Sequence, residues 1–106
     1  MIVRNTAELA KAGRKNVPLR KALDQWLHVT ESASWTNLMD VRRTFPSADG
    51  VVIKSSGSIQ IVATVFNIKG NEYRLITAIN YSAATVLVLE ILTHAEYDKG
   101  QWKDRI

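Results

Sequence analysis

Three runs rich in β-branched and apolar residues dominate the second half of this chain: Ile59 to Ile68, Glu72 to Asn80 and Thr85 to Leu92. Lys69-Gly70-Asn71 and Tyr81 to Ala84 separate them, and both read as turns. Connections this short join antiparallel neighbours, so the runs predict a hairpin-linked sheet. Val51 to Lys54 adds a shorter strand, with Ser55-Ser56-Gly57-Ser58 as its turn. Met1 to Arg4 is a candidate for one more. Several strand residues are apolar on both faces, which predicts a sheet partly covered on its second side.

The first half carries helical spacing instead. Asn5 and Glu8 stand at capping-box distance, so a first helix is expected from there to Gly13, carrying Ala7, Leu9 and Ala10. Asn16-Val17-Pro18 restarts a helix, with Pro tolerated in its first turn. Leu19, Ala22, Leu23, Trp26 and Leu27 then form one apolar stripe. Ser34 to Thr36 supplies a cap for a third helix, with Leu38, Val41 and Phe45 on one face and Pro46 as its stop. Arg42 and Arg43 sit in its last turn, where positive charge suits the helix dipole. The architecture predicted is α+β, with N-terminal helices packed on one face of a mostly antiparallel sheet.

The chain has 106 residues, which fits one domain spanning residues 1–106. A core of that size leaves few apolar residues to line a private pocket. That argues against an enzyme enclosing a bulky cofactor and favours work on a surface or shallow groove. Fourteen Lys and Arg against ten Asp and Glu give a net charge of +4, a balance that suits polyanionic partners. There is no cysteine, so disulfides, thiol catalysis and cysteine zinc sites are excluded. No segment reaches the length of a membrane span and the N-terminus has no signal-peptide run, which fits a cytoplasmic protein.

Two stretches are more specific: Val65-Phe66-Asn67-Ile68-Lys69-Gly70-Asn71-Glu72-Tyr73-Arg74-Leu75 and Leu92-Thr93-His94-Ala95-Glu96-Tyr97-Asp98-Lys99. With Phe45-Pro46-Ser47-Ala48-Asp49 upstream, they resemble the HigB-type toxins of bacterial type II toxin–antitoxin systems, within the RelE-like group. The resemblance runs over nearly the whole chain. It implies the RelE-like fold and a ribonuclease that cuts messenger RNA, in many members on the translating ribosome. It also implies neutralisation by a helix-turn-helix antitoxin of the HigA kind, with operator DNA reached only through that antitoxin. Two departures stand out. The segment between Phe45 and Phe66 is longer than in many relatives, with Ser55 to Ser58 as the extra loop. Leu89 stands where relatives often carry a basic residue.

Cleavage of RNA without a metal needs a base near the ribose 2′-hydroxyl, positive charge on the phosphorane and an acid for the leaving oxygen. Arg74 suits the charge role, because guanidinium stays protonated and can grip two phosphate oxygens. Its bland alternative is a cross-strand pair with Glu90, which follows if the Tyr81–Ala84 turn pairs Asn80 with Ala84. His94 is the natural acid or base, or else a surface histidine. Tyr97 can stack on a base or donate a proton. Asp98 can orient His94, act as base or cap a terminal helix, and Lys99 can neutralise phosphate. All three can equally belong to a segment that docks through Tyr97 and Trp102. Lys54, Lys69, Arg42 and Arg43 are candidates for RNA contact, and the Lys11, Arg14, Lys15, Arg20 and Lys21 cluster is either a solvated helix face or a grip on ribosomal RNA. Gly70 and Asn71 read as plain hairpin residues, and His28 as structural. Two histidines in the whole chain argue against a dedicated transition-metal site, so neither metal nor cofactor is expected. The competing reading is a non-catalytic basic module that binds RNA or protein, blocking translation or serving as corepressor.

Overall fold

The computed structural model describes residues 1–57 and 59–106. Its elements run β1 (Ile2–Arg4), α1 (Ala7–Gly13), α2 (Val17–Glu31), α3 (Leu38–Thr44), β2 (Asp49–Ser56), β3 (Ile59–Ile68), β4 (Tyr73–Asn80), β5 (Thr85–Thr93), α4 (His94–Lys99) and α5 (Trp102–Arg105). Among the described residues the strands form one sheet in the order β1-β5-β4-β3-β2. Every pairing is antiparallel except β1 with β5, which is parallel. The expected α+β architecture is therefore the observed one.

Local chemistry sets the helix boundaries. Asn16 caps α2, its side chain accepting from the Leu19 N–H at 3.0 Å. Gly13 ends α1 where α2 passes close by: a Cβ there would lie 2.8 Å from the Arg20 Cβ. Two expected caps are displaced. Asn5 is not the cap of α1; it adopts a left-handed φ of 64° and its amide donates to the Val88 carbonyl, tying β1 to β5. Thr6 holds the cap position without a side-chain bond. Asn37, rather than Ser34 to Thr36, caps α3 by accepting from the Asp40 N–H. Thr36 instead donates to the Asp40 carboxylate, which holds that carboxyl below its usual range. The expected turn at Ser55–Ser58 is also corrected: β2 continues through Ser56, and Gly57 makes the turn. Ser58 lies outside the described residues.

The two faces of the sheet are covered differently. On the first, α1, α2 and α3 bury Leu9, Leu19, Leu23, Trp26 and Val41 against Phe66, Ile68, Leu75, Val86 and Val88. An aromatic knot of Trp26, Trp35, Phe45 and Phe66 lies at its centre, with ring centroids 5.3 to 6.1 Å apart. On the second, α4 and α5 bring Trp102 onto Ala63, Val65, Ile76 and Leu92. Thr93 starts α4 with a capping box, donating and accepting reciprocally with Glu96. Gly100 adopts a left-handed φ of 75°, and the chain turns there into α5.

A bulge sets what the second face presents. Asn80 pairs with Thr85, one step from the expected Ala84, and the register shifts again between Ile76 and Thr77. Leu89 is the residue left over, and it packs beside the Trp102 cluster. Arg74 therefore faces Leu92, and Glu90 faces Ile76. The expected Arg74–Glu90 pairing does not form; Glu90 binds Arg105 instead, at 3.0 and 3.2 Å.

Candidate active site

Period-two alternation gathers the polar residues of the second face at one end of the sheet. Asp49 pairs with Val65, Asn67 with Arg74, and Arg74 with Leu92. Val65 and Leu92 belong to the Trp102 cluster, so Asp49, Asn67 and Arg74 share its face. Helix α4 begins directly after β5 on this side, and the His94 N–H donates to the Glu72 carbonyl at 2.9 Å. That bond fixes the helix start against the start of β4.

Arg74 lies at the centre and is only 9% exposed. Its Nη1 donates to the carbonyls of Asn71 and Tyr73, both at 3.2 Å, and its Nη2 to the Asn71 Oδ1 at 2.6 Å. The ring of Tyr97 closes one side, with its centroid 5.8 Å from the Arg74 Cζ. Guanidinium has five donors, so Nε–H and one Nη2–H remain. Among the described residues neither has an acceptor, and no carboxylate ion-pairs with Arg74. Asn71 thus holds one edge of the guanidinium and leaves the other as a two-donor fork, the geometry that grips a phosphate. Asn71 was legible only as a turn residue. The left-handed pair Lys69 and Gly70, with φ of 54° and 65°, aims it back at Arg74.

Around this cation stand the groups that can move protons. His94 Nε2 lies 3.1 Å from Asp98 Oδ2, one turn along α4. With Nε2 on the carboxylate, Nδ1 is left to give or take a proton. Asp98 is thus inside α4 and oriented on His94, and it does not cap the terminal helix. Tyr97 is half-buried; burial pushes its hydroxyl above the ordinary 10.0, Asp49 adds to that, and Arg74 opposes it. At neutral pH the phenol is a proton donor. Asp49 is a neighbour that the sequence did not mark, and Arg42 reaches it at 3.4 Å while donating to the Ala48 carbonyl.

The other sequence candidates fall outside this cluster. Lys99 lies two residues past Tyr97, about 200° around a 3.6-residue helix, on the side of Glu96. Arg43 is exposed and paired with Asp40. Lys69 is bound to Glu72 at 2.7 Å. Lys54 pairs with Ile61, and from there to Asn67, the partner of Arg74, β3 runs about 20 Å at roughly 3.3 Å per residue. Lys54, a candidate for RNA contact, therefore lies far along the sheet from Arg74. Leu89, the departure noted in the sequence, serves the packing of the second face. Among the described residues no three His, Asp or Glu side chains gather as a metal site, and no helix is long and apolar enough to cross a membrane.

Comparison with curated proteins finds no match. A family model described as the HigB toxin, the RelE-like toxic component of a toxin–antitoxin system, matches residues 19–100. The match takes in all but the first two residues of α2, then α3, the four strands from β2 to β5 and α4, and so every residue of the cluster around Arg74. The chain belongs to the HigB family of RelE-like toxins: it is the toxic component of a toxin–antitoxin system, and an antitoxin is its partner.

Proposed function

We propose that this toxin is an endoribonuclease that cleaves messenger RNA on the translating ribosome by metal-free attack of the ribose 2′-hydroxyl. The observation that carries the reading is Arg74. Three bonds to Asn71 and Tyr73 hold one edge of this nearly buried guanidinium, and the two donors of the other edge, with no carboxylate partner among the described residues, are open to an anion. A scissile phosphate supplies that anion.

The 2′-oxygen attacks phosphorus, charge builds on the non-bridging oxygens, and the bond to the 5′-oxygen breaks. Arg74 meets the charge, worth about 10²- to 10³-fold for one well-placed donor of this kind. His94, with Asp98 on its Nε2, takes the proton from the 2′-hydroxyl or delivers one to the leaving oxygen. Tyr97, protonated and beside the guanidinium, is the second candidate for that delivery. Arg42, at the rim, contributes phosphate contact. Lys69 and Arg43 sit farther out with acidic partners of their own, and their contribution is to affinity and its salt dependence. The antitoxin is of the HigA kind, a helix-turn-helix protein through which the complex reaches operator DNA, and the toxin acts in the cytoplasm.

The products test this. Purified toxin added to translating ribosomes is expected to leave 5′-hydroxyl and 2′,3′-cyclic phosphate ends within reading frames, the products of 2′-hydroxyl attack. Stalled translation with intact messages would replace this reading with a binding module that blocks without cutting.

A further inference from the structure

Arg74 is held by more than its own hairpin. Tyr97 covers it, and Tyr97 in turn lies on Trp102, with centroids 5.4 Å apart and rings 17° from parallel. Trp102 is 1% exposed, and its Nε1–H donates to the Tyr97 carbonyl at 3.2 Å, so it grips ring and backbone of the same residue. The Lys103 ammonium also lies 5.8 Å from the Trp102 ring centroid. Arg74 is thus linked to Trp102 through the Tyr97 ring.

We propose that Trp102 is a positioning residue for RNA cleavage: it is the flat platform that fixes the Tyr97 ring and, through it, the phosphate-gripping edge of Arg74. The inference rests on the cleavage reading above and names a residue beyond the matched segment, which ends at Gly100. Several features bear on it. Helix α5 has four residues, too few to be stable by itself. It stays in place because Trp102 fills the second-face cluster and the Arg105 fork closes on Glu90. The Tyr97 carbonyl accepts from both the Gly100 N–H and the indole, so the end of α4 is fixed by the element that follows it. A ring stacked on the indole that also binds its own backbone carbonyl has little freedom to tilt, and a guanidinium resting on that ring inherits its position. An error of about 1 Å in a positioned group is enough to cost on the order of 100-fold in rate.

A residue that only fills the core would be replaceable by any apolar side chain of adequate bulk. A platform needs a flat face. Trp102→Phe keeps the face and loses the indole bond; Trp102→Leu keeps apolar bulk and loses the face. Both are measured by single-turnover RNA cleavage and by RNA affinity, at a temperature where circular dichroism shows each folded. Trp102→Met takes the place of Leu if that variant does not fold, since Met fills irregular gaps. The expected result is cleavage by Phe within about threefold of the parent and a fall of tenfold or more for Leu or Met, with RNA affinity nearly unchanged. A second readout needs no substrate. The Arg74 side-chain Nε–H resonance, assigned by its absence in Arg74→Lys, should be shifted by the Tyr97 ring in the parent and in Phe, and should lose that shift in Leu or Met. Equal cleavage by Phe and by Leu or Met, or an Arg74 resonance indifferent to all of them, overturns the inference. If Arg74→Ala itself cleaves like the parent, it is the cleavage reading that fails, and the resonance still reports on the platform.

Discussion

The two faces of the sheet solve different problems. The α1–α3 face is built from large interlocking side chains, with Trp26, Trp35 and Phe45 each packed on Phe66. The α4–α5 face has a small cluster around one tryptophan, and beside it a cation, a phenol and a histidine–carboxylate pair. The first face holds the strands still. The second uses that rigidity, and places Arg74 in a strand rather than on a loop, where its aim is set by pleat and register. Stability and chemistry are thus separated by the thickness of the sheet.

The comparison breaks first if a substitution on the helical face leaves the fold intact. Trp26→Ala removes a buried ring that packs edge-on to Phe66 and should cost about 3–5 kcal/mol. That is a large part of the stability of a small domain, and urea unfolding would measure it. Arg74→Ala should do the converse, lowering cleavage by about 10²- to 10³-fold while the urea midpoint moves little, because water can serve the Asn71 oxygens it exposes. Thr93→Ala removes half of the capping box and should cost about 1 kcal/mol, with cleavage following only as far as α4 frays. Its partner Glu96 is held below the ordinary carboxylate range, first by the Thr93 backbone and then by its hydroxyl. That stabilisation is present above the unfolded carboxyl's pKa and is lost as pH falls through the folded one, so the Thr93→Ala deficit should shrink in acid. Tyr97 sharpens the contrast from the alkaline side. Its native hydroxyl keeps the proton past the unfolded value of 10.0, so stability should fall as pH rises beyond that point; burial raises Tyr81 as well, so tyrosinate absorbance should show two late-titrating phenols, one of which is lost in Tyr97→Phe. The smallest effect belongs to the rim: Arg43→Ala should change stability by less than about 0.5 kcal/mol and alter RNA binding mainly through its salt slope.

Much of this is legible in the sequence alone. The stripe from Leu19 to Leu27 is one face of α2, and the three β-rich runs are β3, β4 and β5. Each pattern repeats over enough residues for its period to stand out. Arg74 and His94 were legible as chemistry, but their surroundings were not. A bulge is a single residue of register and leaves no periodic signal, so the extra Leu89, added to the one-step offset at the Asn80–Thr85 turn, moves Glu90 away from Arg74 unannounced. Asn71 looks like any turn asparagine until the left-handed Lys69 and Gly70 aim it at the guanidinium. Asp49 is far from Tyr97 in sequence, and only the pairing of β2 with β3 brings them to one end of the sheet. The caps at Asn5 and Ser34–Thr36 were misplaced for a related reason. Asn, Ser and Thr compete for the same N–H groups, and in α1 a long-range bond to Val88 decided which residue was taken.

The central claim is that Arg74, nearly buried and without a carboxylate partner among the described residues, is the phosphate site of a nuclease. The most direct measurement is transcriptome-wide mapping of new RNA 5′ ends after induction in a bacterial host, parent against Arg74→Ala, with both proteins shown folded by their urea transitions. The account predicts ends clustered inside translated frames for the parent and none above background for Arg74→Ala. The same ends at the same abundance from folded Arg74→Ala would contradict it.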